Sequence, residues 1–448
     1  MSEHGLNRAD ERVSQVLPVP TPGAPPAPVV PAVERFVLGN GLRVMAIPRR
    51  ELPQVAARLV VPAGSAADPP GQAGVASLTA ALLPEGTARL TAVELNERID
   101  GLGASIGSRA GHDFSEIDLG SLGETFEEAL GLLAGIVTDP VFPEREVERV
   151  RAEILDALDA RLDEPANVAD DRIAMAMFGA NHPYGRLPAG TAEGVRKLRR
   201  LDLINFHADR YRPDGSLFVV SGDFNIETLR ALLEKAFERW EGRVEPAVYP
   251  EPRFAPLEGD SLITIHREGA EQAEIRFEGA GIPRNHPDWI AASVANYIIG
   301  GSTITGRLGA NLREDKGWTY GIRSGFSAGV QPAGWSVETA VDAAVADDAI
   351  NEIIHELRRI ITSPIEDEEL ERAREALVLS LPRAFETPSR VVARLATQEA
   401  YGLPADYWET FPARVMAVDR EMVRKIATEH FDPARLARVV VRPPVGPR

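Results

Sequence analysis

Residues 136–140 read Ile136-Val137-Thr138-Asp139-Pro140, and from Phe142 the chain continues FPEREVERVRAEIL. Residues 360–364 read Ile360-Ile361-Thr362-Ser363-Pro364, and from Ile365 the chain continues IEDEELERAREALVL. Both stretches are an apolar helix end, a proline corner and a charged amphipathic helix. Proline lacks the N–H that an interior helical turn needs, so the first helix has to end there. Pro140 and Pro364 stand 224 positions apart (364 minus 140), half of the 448-residue chain. Strands are predicted ahead of both corners. A period of that length exceeds any solenoid repeat and points to duplicated α+β domains.

Working outward, two apolar runs flank Gly39-Asn40-Gly41 and predict a hairpin over residues 34–47. Further strands are expected at 55–61, within 104–122 as a pair, and at 217–220. Residues 74–83 are apolar enough for a buried helix, closed by Pro84 and Gly86. Residues 124–137 place Phe126, Ala129, Leu130, Leu133 and Ile136 on one helical face. The second half predicts strands at 261–266, 274–279, 320–326, 334–340 and 435–441, with helices at 288–299, 345–362 and from 367 onward. Residues 17–33 are rich in proline and alanine and read as an extended arm. Pro246, Pro250, Pro252 and Pro256 mark a linker. The expected organisation is an arm at 1–33, a first domain at 34–245, a linker at 246–258 and a second domain at 259–448.

Composition narrows the function. Lys and Arg number 49 against 67 Asp and Glu, a formal charge of −18. That argues against nucleic acid or an anionic membrane surface as partner. Cysteine is absent, so there is no disulfide framework, thiolate metal cage or thiol nucleophile. No run resembles a membrane span, and the first residues lack a secretory signal. A cytoplasmic location is expected, with a periplasmic one left open. The eight histidines include no i, i+4 pair. His182 and His207 are expected to support the fold, and His112 falls on a predicted strand. Nothing resembles a nucleophile elbow.

The stretch Leu312-Arg313-Glu314-Asp315-Lys316-Gly317-Trp318-Thr319-Tyr320 offers a forked guanidinium and a phenol across a glycine break. Two such donors converging on one carbonyl oxygen would hold a peptide and favour an oxyanion. The plainer reading is a helix-end arginine on the surface and a tyrosine in a strand. Gly300-Gly301-Ser302-Thr303 reads as a tight break needing positive φ, in preference to a flexible substrate loop. It lacks the Gly-Lys-Ser/Thr of a P-loop.

Taken in order, several stretches carry a resemblance. They are Leu38-Gly39-Asn40-Gly41-Leu42-Arg43-Val44, Gly74-Val75-Ala76 through Gly86-Thr87, Asn181-His182-Pro183-Tyr184-Gly185, Gly190-Thr191, Tyr211-Arg212-Pro213-Asp214-Gly215 through Asp223, and Arg307-Leu308 through Tyr320. Over about residues 34–445 the chain resembles the M16 (pitrilysin/insulinase-type) zinc peptidases, and within them the half-length members that pair two subunits, such as the mitochondrial processing peptidase. The resemblance implies an α+β fold of two duplicated domains, each an antiparallel-rich sheet covered by helices, together forming half of a clamshell.

The family's zinc motif is H-x-x-E-H on a helix, within G-x-A-H-x-x-E-H-x-x-x-x-G-T. Two imidazoles one turn apart reach one metal, and the Glu between them activates the metal-bound water. Here the histidine positions are Ser77 and Ala81, and the glutamate position is Ala80. The third ligand falls best on Ala157 and a supporting Glu on Val150. No metal is therefore expected in this chain. The family's substrate-holding Arg and Tyr, seven positions apart, match Arg313 and Tyr320. By resemblance, the chain is expected to be the zinc-free subunit of a heterodimeric peptidase, inactive alone. Zinc and the general base would come from a partner chain, and unfolded or short peptides would be substrate. The alternative expectation is a non-catalytic scaffold or peptide-binding clamshell, with a homodimer as one form of it.

Overall fold

The computed structural model describes residues 30–245, 247–250 and 262–444. The expected Pro-rich arm lies outside the described residues up to position 29, and the expected linker is described only at 247–250.

In the first half the strands are β1 (Glu34–Val37), β2 (Arg43–Pro48), β3 (Gln54–Val61), β4 (Ser105–Ala110), β5 (Ser115–Leu122) and β6 (Leu217–Gly222). Its helices are α1 (Val75–Leu82), α2 (Ala92–Gly101), α3 (Phe126–Thr138), α4 (Glu144–Arg161), α5 (Pro165–Phe178), α6 (Ala192–Lys197), α7 (Arg200–Arg210) and α8 (Ile226–Ala236). The second half has β7 (Leu262–His266), β8 (Gln272–Ala280), β9 (Ile322–Phe326), β10 (Gly334–Asp342) and β11 (Ala437–Arg442). Its helices are α9 (Trp289–Asn296), α10 (Arg307–Gly309), α11 (Ala346–Thr362), α12 (Asp367–Leu379), α13 (Leu381–Ala384), α14 (Pro388–Ala400), α15 (Tyr407–Met416) and α16 (Arg420–His430).

The strand orders are β1-β2-β6-β3-β5-β4 and β7-β11-β8-β10-β9. Without the edge strand β1 they are the same order. Each sheet also has one parallel pair at the matching place, β2 with β6 and β7 with β11, and is otherwise antiparallel. The repeated Pro140 and Pro364 corners thus belong to two copies of one topology. β6 is buried along its whole length, which explains its unbroken apolar run Leu217-Phe218-Val219-Val220. β5 alternates between buried and half-buried residues, as a strand does with one face on the core.

The halves exchange helices. α5, from the first half, lies across β8 and β11, and α14, from the second half, lies across β3 and β6. Ala169, Ile173 and Met177 of α5 pack with Val439 and Val441 of β11. Val391, Val392 and Leu395 of α14 share a core with Met45, Ile47 and Val219. Each aliphatic side chain buried this way is worth roughly 1.5–3 kcal/mol, far more than an exposed ion pair.

Candidate functional site

α1 carries the positions onto which the resemblance lays the zinc motif, Ser77, Ala80 and Ala81. Gly74 precedes it at φ +96°, and a Cβ there would stand 2.5 Å from the Ala189 carbonyl oxygen. Only glycine allows the loops before α1 and before α6 to touch backbone to backbone. Asp68 then caps the helix, accepting from the N–H groups of Gly74 (2.8 Å) and Ala76 (3.0 Å). Its side chain is wholly buried, with an Arg186 nitrogen 3.9 Å away. Burial pushes its pKa up to about 6, against the pull of the two N–H donors and Arg186.

Along α1, the Ser77 hydroxyl donates to the Pro188 carbonyl at 2.8 Å. Ala80 is fully buried, and its carbonyl accepts from Ser108 Oγ at 2.5 Å. Ala81 is half-buried against the first-half core. α4 runs beside α1. On it Val150 sits inside the same core, while Ala157 is exposed. These side chains do not fit a zinc ion: one hydroxyl is already committed and the other four are hydrocarbon. Among the described residues, no grouping of three or more His, Cys, Asp or Glu could hold a metal.

His112 is not on a strand. It lies in the turn between β4 and β5, which the Gly111 N–H closes by donating to the Phe114 carbonyl at 2.8 Å, and its Nδ1 sits 3.2 Å from Ser65 Oγ. Burial lowers its pKa. His182 Nδ1 accepts from the Tyr184 N–H at 3.1 Å, and the ring stacks on Phe178. His207 reaches the Val137 carbonyl at 2.8 Å and stacks on Tyr211, with burial taking its pKa down to about 4. Both serve the fold.

Beside them is a polar node that the sequence did not announce. Asp113 Oδ1 accepts from the hydroxyls of Tyr184 (2.7 Å) and Tyr249 (2.8 Å), and Oδ2 accepts from the Val330 N–H (3.0 Å). Burial and the Asp113 charge both raise the pKa of the two phenols. An aspartate in a hairpin turn reads as turn chemistry, so only its distant partners identify it.

Arg313 and Tyr320 occupy one segment of the second half. Arg313 stands in a wide helical turn, Ala310–Asp315, in which Leu312 is fully buried. Asn311 ties that turn to α11 by donating to Glu352 and Glu356, both at 2.9 Å. The Arg313 side chain is 35% exposed, and its guanidinium meets Glu314 at 3.0 Å. Thr319 is held from both sides: its hydroxyl donates to the Gly321 carbonyl (2.9 Å) and accepts from Thr339 (3.0 Å). Tyr320, next to it, is 96% exposed. It precedes β9, which begins at Ile322, so the strand is shorter than expected. No described hydrogen bond joins Arg313 to Tyr320.

Gly300 and Gly301 also differ from expectation. Neither takes positive φ; they end a wide helical turn, Tyr297–Gly301, that continues α9. Close packing is what requires them, since a Cβ on Gly300 would stand 2.7 Å from Ser324 Oγ.

Two family models match the chain. Residues 43–188 match the insulinase family of M16 peptidases, and residues 197–377 match the M16 peptidase inactive domain. This chain belongs to the M16 peptidase family. An uncharacterized zinc protease of Mycobacterium leprae is 26% identical over 82% of this chain and 82% of its own length. A protein of Helicobacter pylori named as the non-peptidase homolog YmxG is 26% identical over 85% of this chain and 87% of its own. A crystal structure of an M16 inactive domain from Pseudomonas fluorescens superposes with a TM-score of 0.86 at 26% identity, covering 93% of this chain and 99% of that one. The two-domain α+β architecture of this M16 chain is thus the family's. No helix among its described residues is long and apolar enough to cross a membrane.

Proposed function

We propose that this chain is the zinc-free subunit of a two-chain M16 peptidase. The observation that carries the reading is that α1 and α4 offer no free metal-binding group at the ligand positions Ser77, Ala81 and Ala157, and no carboxylate at the general-base position Ala80. The Helicobacter relative's name, non-peptidase homolog, supports the same reading. Metal, third ligand and general base would all come from the partner chain. This chain's part is to wall the chamber and to hold peptide main chain through Arg313 and Tyr320. A guanidinium has five N–H donors, so Arg313 keeps several free beside Glu314. The exposed Tyr320 phenol donates one more. Both would strengthen their bonds as a carbonyl oxygen gains charge.

The test is co-expression with a zinc-bearing M16 chain, followed by co-purification and cleavage of an unfolded peptide. The pair cleaves and this chain alone does not. Arg313→Ala or Tyr320→Phe lowers the rate of the pair by roughly 10²-fold, the usual loss for an oxyanion donor. A double variant that cleaves at the full rate removes the assigned role. A stable homodimer that captures no zinc-bearing chain favours the scaffold reading instead.

A further inference from the structure

The corner where α13 meets α14 gathers more positive charge than its surroundings neutralise. A cavity of about 470 Å³ there is lined by Ser380, Arg383, Ala384, Arg390, Arg394 and Thr397. In a chain of charge −18, three guanidinium groups around one depression reverse the local sign. Glu386 answers Arg390 alone, at 2.7 Å, and Arg390 is further held by the Arg383 carbonyl at 3.2 Å. Glu399 is engaged by Arg43 at 2.8 Å. Arg49, paired with Glu51, adds a cation nearby by donating to the Phe385 carbonyl at 2.6 Å. Arg383 and Arg394 meet no carboxylate among the described residues.

Behind the cavity, an aromatic ring holds one of these charges, that of Arg394, in place. The Arg394 guanidinium lies over the Trp408 ring, 5.0 Å from its centroid. Tyr407 packs edge-on against Trp408, and its hydroxyl accepts from both terminal nitrogens of Arg284 at 3.3 Å. Arg284 is only 6% exposed, lies over the faces of Trp289 and Tyr407, and likewise meets no carboxylate among the described residues. Partial desolvation and the Arg284 charge hold the Arg394 pKa below the ordinary guanidinium value. Like charges kept close and partly out of water are unfavourable until an anion joins them. A planar fork held over an aromatic face, as Arg394 is, suits a tetrahedral oxyanion better than a flexible ammonium would.

We infer that this cavity binds a small multivalent oxyanion of the phosphate type, held by Arg383, Arg390 and Arg394. The inference does not depend on the peptidase reading. Inorganic phosphate titrated into the full chain at low salt should bind saturably and raise the melting temperature, with affinity falling as salt rises. Arg383→Gln and Arg394→Gln should each weaken binding roughly tenfold, the usual cost of a charged hydrogen bond. Arg414→Gln, at a guanidinium that lies over the Tyr407 ring but does not line the cavity, should leave binding unchanged. Arg383 is exposed and unpaired, so its variant folds even if Arg394→Gln suffers from losing Trp408. Glycerol phosphate binding more tightly than phosphate identifies an ester as the ligand, and equal binding identifies the free ion. Absence of saturable phosphate binding, or binding indifferent to both substitutions, overturns the inference. So does preference for a glutamate-rich peptide over phosphate.

Discussion

The Tyr249 hydroxyl lies 2.8 Å from Asp113 Oδ1, and so ties the segment between the two halves to the turn between β4 and β5. Tyr184 reaches the same oxygen, and the Val330 N–H reaches the other from the second half. One carboxylate, 6% exposed, therefore joins the first half, the connecting segment and the second half. Asp113→Asn keeps the shape but leaves the buried Tyr184 phenol and the half-buried Tyr249 phenol competing for a weaker acceptor. A loss of about 1–3 kcal/mol is expected, read as a lower urea midpoint at unchanged m-value.

A second prediction concerns pH. Glu278 on β8 is pushed up to about 7, first by burial and then by the Asp170 charge on α5. Arg276, which faces the same helix, is paired with Asp170 (2.6 Å) and Glu274 (3.0 Å). In the unfolded chain Glu278 titrates near its ordinary 4.5. Between those values the native state holds the extra proton. The contribution of Glu278 is therefore complete below about 4.5 and is lost as pH rises through about 7, at up to about 1.4 kcal/mol per pH unit. Unfolding midpoints of wild type and Glu278→Gln across this window should diverge, with the variant gaining relative stability on the alkaline side.

The turn that carries Arg313 is anchored by an inward ion pair. Arg307, 6% exposed, makes two 2.8 Å hydrogen bonds to Glu369 on α12. Glu369→Gln would leave a buried guanidinium without its charge partner, at a cost of roughly 3–5 kcal/mol. By contrast, Tyr320→Phe removes a hydroxyl from an exposed ring and should change stability by less than about 0.5 kcal/mol. Paired thermal melts of the two variants check the contrast.

The metal positions can be probed from the other side. Ala80 is fully buried under Ser108, so Ala80→Glu forces a carboxylate into a space shaped for a methyl group. A destabilisation of roughly 2–4 kcal/mol is expected from overpacking and desolvation. Ala157→Glu, on the exposed face of α4, should stay within about 0.5 kcal/mol of wild type in the same chemical unfolding series.

Much of the fold was legible along the chain. The hairpin around Asn40, the pair β4 and β5, and the helices on either side of Pro140 and Pro364 follow local rules of periodicity, turn chemistry and proline geometry. Less legible were the ends of elements and the reasons for particular glycines. Gly300 looked like a positive-φ residue, yet what demands it is Ser324 Oγ, 24 positions away in sequence and touching in space. Helices after residue 381 had no sharp boundary in the pattern, since their apolar residues answer to sheets formed elsewhere in the chain.

By itself the sequence determined the duplication, the α+β class, the family and the side-chain chemistry present at residues 77, 80, 81, 313 and 320. Each of these is written in residue types and their spacing, which no folding step can change. Only the tertiary structure decided that α5 and α14 change places between the halves, that Asp113 gathers Tyr184 and Tyr249, and that Arg383, Arg390 and Arg394 share one cavity. Those relationships join residues far apart in the chain, and burial and charge act on distance in space, which periodicity along a sequence does not record.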